Sequence, residues 1–70
     1  MAKKKETVNR IPKEDIMVGG VYRNAVQDIV KVLKIDEIEQ RFILFNVSGA
    51  HKQFTDFKHI WLTEKLFQTR

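Results

Sequence analysis

The sequence predicts a mostly-β fold: a small curled sheet of four to five strands, with a basic arm before it and a helical segment after it. Three observations carry this. "DIVKVLKID" and "RFILFNV" are runs of strand length rich in β-branched and aromatic residues. Short breaks, "GG", "DEIEQ" and "SGAH", separate the candidate strands. With 70 residues and no cysteine, the chain has room for one core and no disulfide to brace it.

Residues 1–10 read as a flexible basic arm, too poor in apolar groups to offset the entropy of ordering. The rest, 11–70, reads as a single domain. Pro12 pushes Ile11 towards an extended backbone, and "PKEDIMV" has the length of a single turn before the glycines. Gly19-Gly20 permits backbone angles or a close approach that a side chain would forbid. Val21-Tyr22-Arg23 is a short strand. "DIVKVLKID" is the long one, expected to bend and to be shared by both halves of a small barrel. The glycine-free "DEIEQ" calls for a loop of three to five residues, not a two-residue turn. "RFILFNV" follows, then "SGAH" with Gly49 as its turn residue, then "KQFTDF" as a fourth strand.

In the tail, Phe57, Ile60 and Trp61 fall at i, i+3 and i+4, and Leu62 and Leu66 repeat the four-residue step. This stripe predicts a helix over about 56–68, capped by Thr55 or Asp56. A 3₁₀ turn followed by a short closing strand is the alternative. A curled sheet removes the exposed edges that a flat meander would leave.

The order "GGVYRN", a polar gap, "IVKVLKID", an acidic turn, "RFILFNV" and a terminal "KLF" resembles small SH3-like or Tudor-like barrels. It is similar to compact bacterial and phage domains that begin Gly-x-Tyr-Arg and close with a Phe-containing turn. The likeness covers residues 18–67. The chain departs from that pattern in having "NAVQD" in the first loop and no Arg-Pro before the closing Phe. What the resemblance implies is an SH3-like barrel in a protein of phage or bacterial origin.

No arrangement in the sequence points to catalysis. His51, His59 and Asp56 match no metal-ligand spacing. Ser48, His51 and Asp56 lack a nucleophile-elbow pattern. Gly19-Gly20 is not a phosphate loop, and Asp36, Glu37 and Glu39 read as a solvated turn. No cofactor, metal or small-molecule substrate is expected. No apolar run reaches the ~20 residues of a membrane span, and the basic start is not followed by a signal-peptide core. With no cysteines, the composition fits a reducing cytoplasm.

The expectation is therefore a non-enzymatic interaction module that binds another protein or itself. Alternation in "RFILFNV" puts Ile43, Phe45 and Val47 on one face and Phe42 and Leu44 on the other. Both faces are apolar, so one of them is either covered by the C-terminal segment or open to a partner. Phe42, Leu44 and Trp61 are the residues assigned to such a partner. An aromatic cage for a methylated lysine, from Tyr22, Phe54 and Trp61, is a lesser variant.

The alternative is a nucleic-acid-binding accessory protein. The net charge of +4 sits entirely in residues 1–13, and the body is neutral. DNA or RNA would be met by Lys3, Lys4, Lys5, Arg10 and Lys13, with Tyr22, Arg23 and Arg41 adding contacts from the barrel. Lys31, Lys34 and Lys52 complete the basic residues of the strands. Strict alternation places Lys31 and Lys34 on opposite faces, since they are three apart.

Overall fold

The computed structural model describes residues 10–68, in which five strands form one antiparallel sheet. They are β1 (Gly20–Asn24), β2 (Ile29–Asp36), β3 (Arg41–Asn46), β4 (His51–Asp56) and β5 (Leu62–Gln68), in the order β4-β3-β2-β1-β5. The expected arm lies outside the described residues, except for Arg10. A single 3₁₀ turn, Lys13–Asp15, precedes the sheet, as "PKEDIMV" predicts. No helix among the described residues is long and apolar enough to cross a membrane.

The predicted C-terminal helix is not there. Residues 57–59 form a turn, and Leu62–Gln68 is a strand paired with β1. The alternative of a turn and a closing strand is the one observed, although that turn is not 3₁₀. The reason is physical. A four-residue step between Leu62 and Leu66 is even, so it suits one side of a regular strand as well as of a helix, although the β5 observed shifts register against β1 at Thr63 and Leu66. Local period could not decide between them. The open edge of β1 did, because its backbone groups need partners that only a strand supplies.

β2, the longest strand, pairs with β1 through Ile29–Lys31 and with β3 from Val30 to Asp36. It carries a bulge: Val32 faces Leu44 and Lys34 faces Ile43, so Leu33 is one residue more than the pairing uses. The inner face of the sheet holds the core of Tyr22, Val30, Val32, Phe42, Leu44 and Leu62, closed by Ile16 from before β1 and Ile60 from before β5. Phe57 packs its ring 5.0 Å from that of Phe42. At the other end of the chain, the amide of Ile11 donates to the carbonyl of Leu62, which holds residues 10–13 against the closing segment.

The two glycines have separate reasons. Gly19 has φ 86°, a conformation most side chains avoid. A Cβ on Gly20 would stand 2.5 Å from the ring and hydroxyl of Tyr22. The three hairpin loops share a device. Asn24, Asp36 and Asn46 each accept backbone N–H bonds through the side chain. The loops then turn through a left-handed Gln27, Gln40 or Ala50. In the third loop the left-handed residue is Ala50, not the expected Gly49.

Candidate functional site

Phe42 and Leu44 are 0% and 1% exposed, so they belong to the core and do not form a docking face. The alternation of β3 is as expected, but its sides are assigned the other way. The inner side carries Phe42 and Leu44 because it is the side that Ile16, Ile60 and Leu62 close. The outer side carries Ile43, Phe45 and Val47.

Pairing register extends this outer face across the sheet, because directly opposed residues point the same way. One row runs through all five strands: Phe67, Val21, Lys31, Phe45 and Lys52. The next runs Lys34, Ile43, Phe54. A third runs Asp36, Arg41, Asp56. Phe45, Phe54 and Phe67 are 37%, 55% and 57% exposed, and Leu33 at the bulge is also exposed. Phe45 and Phe54 are diagonal neighbours, roughly 7–8 Å apart by strand geometry.

The bulge overturns the placement of the lysines. Lys31 faces Phe45 and Lys34 faces Ile43, two positions apart on β3, so both lysines lie on the outer face. The extra residue, Leu33, absorbs the odd spacing. With Lys52 they place three cations among the aromatic residues, and the first two rows contain no carboxylate. Acidic side chains stand instead in the third row, in the loops and at Glu64 of β5, opposite Arg23.

Arg41 borders this area. Its guanidinium lies 5.0 Å from the centre of the Phe54 ring. Its Nε is shielded from water with no hydrogen-bond partner, and Asp36 Oδ2 is 3.8 Å away. Asp36 is held below the usual carboxylate range, chiefly by the amide of Glu39. The amide of Ile38 and the charges of Lys34 and Arg41 act in the same direction, and burial opposes them. Arg23, on the same face, is 3.5 Å from Glu64.

The other residues assigned to nucleic acid are dispersed. Lys3, Lys4 and Lys5 lie outside the described residues. Arg10 stacks 4.5 Å from the Trp61 ring centre and donates to the carbonyl of Ile60. Lys13 sits 4.2 Å from the ring centre of Phe57. Tyr22 is fully buried, its hydroxyl accepting from the amide of Met17, and offers no stacking surface. The aromatic cage fails with it, since Phe54 faces outward.

Trp61 remains half-exposed, beside a cavity of about 150 Å³ lined also by Leu44, Gln53 and Thr55. His59 Nδ1 is 3.5 Å from Asp56, and among the described residues no group of three or more potential metal ligands gathers. Alternation alone would have grouped Ile43, Phe45 and Val47. The register that adds Phe54, Phe67 and the three lysines has no signal in spacing. Comparison with known protein families, curated proteins and solved structures finds no match for this chain.

Proposed function

We propose that this chain is a non-enzymatic interaction module, an SH3-like barrel that holds a macromolecular partner on the outer face of β2, β3 and β4. The strand order supports the barrel: β1 pairs on both sides, and β2 pairs with β3 along most of its length, across a bulge, but with β1 only at Ile29–Lys31. Such a bulge bends a strand, as a small closed sheet requires. The observation that carries the docking surface is the exposure of Phe45 and Phe54 as neighbours on one face. Two large rings left in water side by side lose hydrophobic stabilisation that a partner restores.

The test is a photo-reactive benzophenone side chain in place of Phe54 in cells expressing the full chain. Illumination yields a covalent adduct of defined mass, and the same probe at Glu14, in the 3₁₀ turn, does not. Equal adducts from both positions, or none from Phe54, sink the proposal.

A further inference from the structure

Resting on that reading of the outer face, we infer that its ligand is a single-stranded nucleic acid. Bases stack on Phe45 and Phe54, and phosphates lie against Lys31, Lys34 and Lys52. The two kinds of side chain are interleaved: Lys31 and Lys52 flank Phe45 on either side in one row, and Lys34 shares the next row with Phe54. That alternation matches a strand whose flat apolar bases and anionic phosphates recur along its length.

Among the described residues none of the three ammonium groups closes a salt bridge, and Lys34 acts on Asp36 only at longer range. A protein partner seated on the phenylalanines would strip water from these unpaired charges, which is costly, and interface cores are depleted in lysine for that reason. A polyanion removes the penalty by pairing them. Arg41, its guanidinium 5.0 Å from the Phe54 ring centre and its Nε turned inward towards Asp36, borders the face without adding a free donor to it. The ligand is single-stranded because the rings must reach base faces that a duplex keeps stacked. A broad sheet face also does not enter a groove that admits a helix or a two-stranded ribbon.

The experiment is fluorescence anisotropy of the full chain with labelled oligo(dT), oligo(U) and a duplex of equal length across a salt series. Variants are Phe54→Ala, Phe45→Ala, the combined Lys31→Gln, Lys34→Gln and Lys52→Gln, and a chain with Lys3, Lys4 and Lys5 changed to Gln. Single strands bind more tightly than the duplex, and the oligo(dT) and oligo(U) arms tell DNA from RNA. Each Phe→Ala change weakens binding at least about fivefold. In the Lys3/Lys4/Lys5 variant, binding persists with a log–log salt slope of about −2, from three lysines at ~0.7 each. The combined Lys31/Lys34/Lys52 variant flattens that slope.

If Phe45→Ala does not fold, Phe54→Ala and Lys52→Gln, both at exposed positions, decide the matter. Three results overturn the inference: no binding at low salt, equal binding of duplex, or binding that depends only on Lys3, Lys4 and Lys5. The Phe54 adduct then separates the two claims. A nuclease-resistant adduct keeps the docking face and rejects nucleic acid, whereas no adduct rejects both.

Discussion

At the scale of single residues, Gly20 and Tyr22 show how one contact constrains a whole strand. Tyr22 is fully buried and tied through its hydroxyl to the amide of Met17 at 3.0 Å, so its ring has nowhere to retreat. A methyl group on Gly20 meets that ring at 2.5 Å. Gly20→Ala is therefore expected to lower stability by about 1–3 kcal/mol, the range for overpacking a core. Urea unfolding of the two proteins measures it, and equal midpoints would mean that the backbone of β1 yields easily. The sequence signalled that a glycine pair was needed, and offered special angles and close approach as alternatives. It could not assign one to each residue, because the neighbour that fills the space over Gly20 is set by folding.

At the scale of elements, the hairpin between β2 and β3 depends on a charge. Asp36 Oδ1 accepts the amides of Ile38 and Glu39 at 3.1 and 3.0 Å, and its carboxyl titrates below the ordinary range. A depressed folded-state pKa stabilises the native form above the unfolded-state value, and the benefit disappears as pH falls through the folded one. Asp36→Asn keeps an acceptor but removes the charge. The parent protein is thus expected to exceed the variant in stability at neutral pH, with the gap closing in acid. Denaturation at several pH values checks this, and a gap independent of pH would refute the electrostatic account. Loop length and strand identity were legible here because "DEIEQ" lacks glycine and the flanking runs are β-rich. The tail was not legible, since an even step between leucines serves both regular structures and the choice lay with a distant strand.

At the scale of the molecule, the sheet grades from its middle outwards. β3 is paired along both sides over its whole length, β1 and β2 have a neighbour on each side, and β4 and β5 are its edges. Amide hydrogen exchange should be slowest at Val30, Val32 and Tyr22, and faster along the outward-facing sides of β4 and β5. Uniform protection would indicate that those edges are covered. The mostly-β character followed from the sequence because it rests on local composition. The candidate site did not, since it depends on which side of β3 faces inward and on a bulge. The bulge has a last consequence. Leu33 could be deleted and every inward and outward assignment of β2 would persist, because Val32, Lys34 and Ile35 already alternate without it. Curvature and pairing are thus written separately in this chain. A shortened version of 69 residues would keep its partners while losing the local bend, so evolution or a designer can adjust the shape of the surface without rewriting the strands that bear it.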